Sequence, residues 1–169
     1  YRDFAVWERE HLGGNEIVGQ LDYWRRKLAD VMPLELPIDK PRPRLPTLRG
    51  SYVQVDVPDD LFLSLEQLGR RESATLFMAM FAGYAALLSR MTDQRDLAIG
   101  VPVANRWHDA VEQMVGTFVN FLVLRVDLSD DPTFSELVAR VRTVALEAFA
   151  HQSIPFDRLV QELVASRSA

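Results

Sequence analysis

Between Thr117 and Leu128 the chain runs TFVNFLVLRVDL, with apolar residues at both odd and even positions. Side chains along a strand alternate faces with a period of two. A strand of this make-up is apolar on both faces, and is expected to lie centrally with cover above and below. The flanking sequence offers helices to provide that cover. Residues 2–12 have a helical pattern that closes at Gly13-Gly14-Asn15, a strong breaker. Ile17, Leu21, Trp24 and Leu28 recur at i, i+4, i+7 and i+11, one face of a second helix.

Asp59 to Arg71 sets Leu61, Leu65 and Leu68 on one helical stripe. The stretch from about Thr75 to Met91 is apolar almost all round, so its helix is expected deep between other elements. Thr133-x-x-Glu136 forms a capping box. The helix it opens carries Phe134, Leu137, Val138, Val141, Val144, Ala145 and Ala148 on its apolar stripe. Pro155 starts a last short helix with Leu159, Val160 and Leu163. Two more strands are expected. One spans 51–57, where Val53, Val55 and Val57 face away from Gln54 and Asp56. The other spans Asp96 to Ala104, with Pro102 placing its end at an edge or bulge. Helices alternating with separated strands define an α/β chain, a layered sandwich around a mixed β-sheet. Five of the nine prolines fall between Pro33 and Pro46, so residues 33–49 are expected to run extended as a crossover linker.

Composition narrows the function classes. A chain of 169 residues makes about one domain with a real core. Its net charge of −5 argues against nucleic-acid binding, which needs a basic patch. It has no cysteine, which excludes disulfides, thiol catalysis and cysteine-ligated zinc, and fits a reducing, cytoplasmic setting. The most apolar run, Leu76 to Leu88, is shorter than the ~20 residues that span a bilayer. No signal-peptide pattern precedes Glu10. The lack of an initiator methionine suggests a piece of a longer polypeptide.

Residue chemistry alone shows no active site. The three histidines, His11, His108 and His151, are never adjacent. His108 and Glu112 stand at i, i+4 and are expected as a solvated surface pair, since two ligands do not make a zinc site. Nucleophile elbows, phosphate loops and dinucleotide fingerprints are all absent. No metal ligand set is assigned.

Three separated segments carry a resemblance: Tyr1-Arg2-Asp3-Phe4-Ala5-Val6-Trp7, then Gly116-Thr117-Phe118-Val119-Asn120 leading to Arg125, then His151-Gln152-Ser153-Ile154-Pro155-Phe156. In that order they resemble three late motifs of the condensation domain of nonribosomal peptide synthetases. Between them, Tyr23-Trp24-Arg25, the Leu34-Glu35-Leu36-Pro37 linker, Ala74-Thr75-Leu76-Phe77 and the run Asp96 to Arg106 resemble further family segments. Phe121 and Ser153 depart from it, standing where the family often has threonine and aspartate.

The resemblance implies a chloramphenicol acetyltransferase-like fold of two α/β lobes with an active-site tunnel between them. Residues 1–169 resemble most of the C-terminal lobe. The N-terminal lobe, with its HHxxxDG motif, is expected upstream, so no catalytic residue is assigned here and this fragment alone is expected to be inactive. The implied reaction is attack of an acceptor amine on a donor thioester, both held on phosphopantetheine arms of upstream and downstream peptidyl carrier domains. An adenylation domain would be adjacent, and no cofactor is bound directly. Rival readings are an ester-forming or dual epimerising and condensing relative, and a non-catalytic carrier-docking module.

Asn120, Phe118, Phe121 and Trp7 are the tunnel-side candidates. A buried amide must be hydrogen-bonded, so Asn120 either borders the tunnel or ties down a neighbouring loop. Arg125 points to the opposite face and is expected in a structural ion pair. Trp7 with Phe4 suits core or lobe-contact packing. His151, at a helix C-terminus, suits capping better than general-base chemistry. Tyr1, Asp3, Gly116, Gln152, Pro155 and Phe156 complete the motifs as structural members.

Overall fold

The computed structural model describes residues 1–11, 15–41, 43–45, 50–106 and 109–167. The elements run α1 (Arg2–His11), α2 (Asn15–Lys27), α3 (Asp59–Arg71), α4 (Leu76–Thr92), β1 (Asp96–Val103), α5 (Asp109–Glu112), β2 (Asn120–Asp127), α6 (Phe134–Ala150) and α7 (Phe156–Arg167). β1 and β2 pair with each other. The Leu128 amide, just past β2, bonds the Arg95 carbonyl, just before β1, so the pairing is antiparallel. The chain forms two compact units, one of residues 1–32, 97–125 and 143–169, the other of residues 33–96 and 126–142.

In the first unit the i, i+4, i+7, i+11 face of α2 is the buried one. Ile17, Leu21, Trp24 and Leu28 are all under a tenth exposed, and α2 packs on α7. Burying side chains of this size stabilises by about 1.5–3 kcal/mol each, as an upper estimate. Two ion pairs border this packing, Lys27 to Glu147 at 2.9 Å and Arg25 to Glu162 at 3.2 Å. β2 buries Asn120, Leu122, Leu124 and Val126 on one face.

In the second unit α3 and α4 meet at a 107° bend. The turn closes with the Ala74 amide on the Gly69 carbonyl at 2.7 Å. A Cβ at Gly69 would sit 3.0 Å from the Ala74 carbonyl oxygen, so a larger residue there would push the turn open. Thr75 caps α4, accepting from the Met78 amide at 3.3 Å. α6 opens on the expected capping box. The Thr133 amide donates to Glu136 at 2.8 Å, and the Glu136 amide donates to the Thr133 hydroxyl at 3.4 Å. Hydrogen bonds from Thr133, the side-chain one first, hold the Glu136 carboxyl below its usual range. Arg140 grips Asp130 through both guanidinium arms at 2.9 and 2.8 Å and also bonds the Asp127 carbonyl.

Three expectations are corrected. Residues 51–57 form no strand, because no described strand pairs with them; Val53 is 88% and Val55 78% exposed. α4 is not buried all round. Met78, Ala79, Phe81, Ala82, Ala85 and Leu88 are covered, while Phe77, Met80, Tyr84, Leu87 and Met91 face out. Finally, the strand expected from Thr117 begins at Asn120, and only one of its faces is closed. Phe121 on the other face is 47% exposed, and among the described residues the sheet has two strands. The Gly13-Gly14 breaker, the His108 side of the His108–Glu112 pair, and Arg42 with residues 46–49 of the linker lie outside the described residues.

Candidate functional site where three motifs meet

The first motif joins the second through aromatic packing. Tyr1 precedes α1, and its hydroxyl donates to the Thr117 carbonyl at 2.9 Å. Its ring lies edge-on to Phe118 at 5.3 Å, and Phe4 meets the same ring at 4.7 Å. Trp7 adds to Phe4 at 5.9 Å. Phe4, Val111 and Phe118 are buried together, with Trp7 and Met114 packed against them. Edge-to-face pairs of this kind add to simple area burial. Gly116 is needed for close approach. A Cβ there would come within 2.3 Å of the Tyr1 ring, so any side chain at 116 displaces Tyr1. Asp3 is exposed in the first turn of α1, where a carboxylate suits the positive end of the helix.

The second motif joins the third through one amide. Asn120 is buried at 7% exposure. Its Nδ2 donates to the carbonyls of Gln152 at 3.1 Å and Ile154 at 2.8 Å, and its Oδ1 accepts from the Phe156 amide at 2.9 Å. Of the two roles open to Asn120, tying down a loop is the one seen here. The loop leads into α7, whose first turn closes with the Leu159 amide on the Pro155 carbonyl. Phe121, next on β2, turns outward 6.1 Å from the Phe156 ring.

His151 ends α6. Its Nδ1 lies 2.8 Å from the Glu147 carbonyl, so the neutral ring carries its proton on Nδ1 to make that bond. The ring stacks on Tyr23 at 3.7 Å with 8° between planes, and its carbonyl accepts from Trp24 Nε1 at 2.9 Å. The Tyr23 hydroxyl is buried without a partner among the described residues. Burial, then the Glu147 charge, pushes the phenol up to about 12. Arg125 is on the opposite face of β2 from Asn120, as the period of two requires. It donates to the Lys27 and Ala29 carbonyls at 2.9 and 2.7 Å, capping α2.

One member was missed from sequence. Arg106 sends Nη1 to the carbonyls of Val111, Glu112 and Met114 and Nη2 to Gly116, with its guanidinium 4.2 Å over Phe118. Its hydrogen bonds go to backbone atoms, so residue types gave no signal beyond its place at the end of the Asp96–Arg106 run. The polar atoms shown here hold shape. Among the described residues no cluster of three His, Asp or Glu could hold a metal ion. A cavity of about 430 Å³ in the second unit is lined by Ser89, Arg90, Arg95, Leu128 and Phe134 among others, and by no motif residue. No described helix is by itself long and apolar enough to cross a membrane.

Comparison with known proteins supplies the family. The family model described as Condensation domain matches residues 1–169, and the chain belongs to that family. A linear gramicidin synthase polypeptide of Brevibacillus parabrevis is 49% identical over 169 residues, which is 99% of this chain and 3% of that protein. The X-domain from teicoplanin biosynthesis superposes with a TM-score of 0.90 at 32% identity, over 96% of this chain and 37% of that one. SgcC5 from Streptomyces globisporus gives 0.82 at 34%, over 96% and 36%. The chain therefore spans a small fraction of the synthetases it matches, and little more than a third of these solved chains. Its fold is that of condensation domains, the chloramphenicol acetyltransferase-like fold, and its sheet among the described residues is the antiparallel β1–β2 pair.

Proposed function

We propose that residues 1–169 form most of the C-terminal lobe of a condensation domain that makes amide bonds in nonribosomal peptide synthesis. The observation that carries this is the joining of all three motifs in one unit, through Tyr1, Gly116 and Phe118 on one side and Asn120 on the other. In the reaction the amine of an acceptor aminoacyl thioester attacks the donor thioester carbonyl. A C–N bond forms, the C–S bond breaks, the amine loses a proton and the carrier thiol leaves. Both substrates arrive on phosphopantetheine arms of neighbouring carrier domains, with an adenylation domain loading the acceptor. Holding two arms in line removes much of the entropic barrier. This chain contributes a rigid wall for that purpose. The histidine pair that would handle the proton is not among its three histidines.

The test is amide formation from donor- and acceptor-loaded carriers. The 169-residue chain alone should give no product, and the condensation domain containing it should give product. Turnover by the chain alone at the intact rate, or none by the intact domain, would overturn the proposal.

A second reading has one observation in its favour. The TM-score is higher with the X-domain than with SgcC5, and an X-domain has been solved in complex with OxyB. On this reading the lobe docks a partner protein without chemistry. An intact domain that retains a carrier partner yet forms no amide would favour it.

A further inference from the structure

We infer that Arg106 is a positioning residue for acyl transfer, holding the corner 111–118 in the shape that receives Tyr1. The inference rests on the amide-forming function proposed above. α5 is a single turn of four residues, so no continuing helix covers its last carbonyls; that of Val111 accepts the Met114 amide at 3.2 Å and keeps room for a second donor. Met114 and Gly116 follow in irregular chain beside the buried Phe4–Val111–Phe118 cluster. The Arg106 bonds to Val111 and Met114 are part-buried, where losing a donor costs free energy, and those to Glu112 and Gly116 fix the exposed side of the corner. One guanidinium serves all four and covers the Phe118 ring as well. The planar fork makes this possible. Three of the carbonyls gather at Nη1 and the fourth at Nη2; an ammonium could serve one of these two points but not both with a plane laid on the Phe118 ring.

The consequence reaches the motifs. Gly116 fits under Tyr1 with no room for a Cβ, and Phe118 is the surface on which Tyr1 and Phe4 both rest. If the corner relaxes, Tyr1 and the start of α1 shift with it, and so does the strand that begins at Asn120. A displacement of about 1 Å in a positioning element can lower a transfer rate by about 100-fold.

The test has two arms. In the 169-residue chain, Arg106→Lys should speed amide hydrogen exchange at 111–118 by about tenfold or more, with β1 and α7 unchanged; unchanged exchange at 111–118 overturns the inference. In the intact condensation domain, Arg106→Lys should lower kcat per folded molecule about tenfold or more while the KM for the loaded acceptor carrier stays within about twofold. A purely structural role would lower only the folded fraction, and a normal kcat per folded molecule therefore refutes positioning. Should Arg106→Lys fail to fold, Gly116→Ala tests the same corner from the Tyr1 side, and a wild-type kcat there overturns the inference too. A wild-type domain that makes no amide defeats the proposed function instead, and the exchange arm then decides whether Arg106 holds the corner.

Discussion

In the first unit, side-chain polar atoms reach far along the chain to find backbone. Tyr1 bonds Thr117, Trp24 bonds His151, Asn120 bonds Gln152, Ile154 and Phe156, and Arg125 bonds Lys27 and Ala29. The second unit has some long ties, such as Gln94 to Pro33 and Glu35 and Arg142 to Ser73. Most of its polar bonds are short-range caps and pairs, including Thr75–Met78, Thr133–Glu136 and Arg140–Asp130. The apolar surface divides the other way. Phe77, Met80, Tyr84, Leu87 and Met91 on α4, and Tyr52, Val53 and Val55 before α3, all face outward in the second unit. The motif-bearing unit ties several polar side chains to distant backbone, whereas the second leaves more large apolar side chains exposed, five of them along α4. A family motif here is chiefly a device for fixing backbone.

That contrast can be broken experimentally. The largest effect should come from Asn120→Ala, which strands two carbonyls and an amide in a buried setting. A loss of about 3 kcal/mol is expected, and thermal unfolding should fall by roughly 6–12 °C for a chain this size. A shift under ~2 °C would mean the clamp is dispensable.

An intermediate effect should follow Thr133→Ala in the second unit. Losing the hydroxyl cap costs about 1 kcal/mol of helix stability, read as reduced helicity on mild heating. It also changes the acid response. Glu136 titrates below its usual 4.5 in the folded chain, so its contribution is present above that value and is lost as pH falls through the lower, folded one. Without the Thr133 bond the folded value rises toward 4.5 and that contribution shrinks. Acid unfolding of Thr133→Ala should therefore begin at a higher pH than in the parent. An unchanged acid midpoint would remove Thr133 as the cause.

The smallest stability effect should come from Leu87→Lys on the outward stripe of α4, within about 0.5 kcal/mol. Association is where it should register. Apolar-dye binding and sedimentation of the 169-residue chain should both fall. If Leu87→Lys instead costs as much as Asn120→Ala, the two units do not differ as described.

Local signals were legible in sequence. The Ile17–Leu21–Trp24–Leu28 spacing named the buried face of α2 correctly, and Thr133-x-x-Glu136 marked the start of α6, because both patterns close within a few residues. The period of two also separated Asn120 from Arg125. What escaped were features completed by distant chain. Residues 51–57 alternate as a strand should, yet alternation supplies no partner ladder. The composition of α4 gave its apolarity but not which face finds cover. The bonds of Arg125 to the Lys27 and Ala29 carbonyls at the end of α2 were not legible either, because backbone acceptors leave no mark in residue type. Arg106 escaped for the same reason, since its hydrogen bonds go to backbone carbonyls and leave no acidic partner type to look for.

The three bonds of Asn120 bear on recombination between synthetases. They tie position 120 to 152, 154 and 156, so a chimaera joined between these points inherits half of its clamp from each parent. Its geometry then depends on two backbones that never folded together. Junctions placed before Tyr1 or beyond α7 keep donor and acceptor of every one of these bonds in the same parental piece. For grafting, the segment from the first motif to the end of the third is best moved as one block.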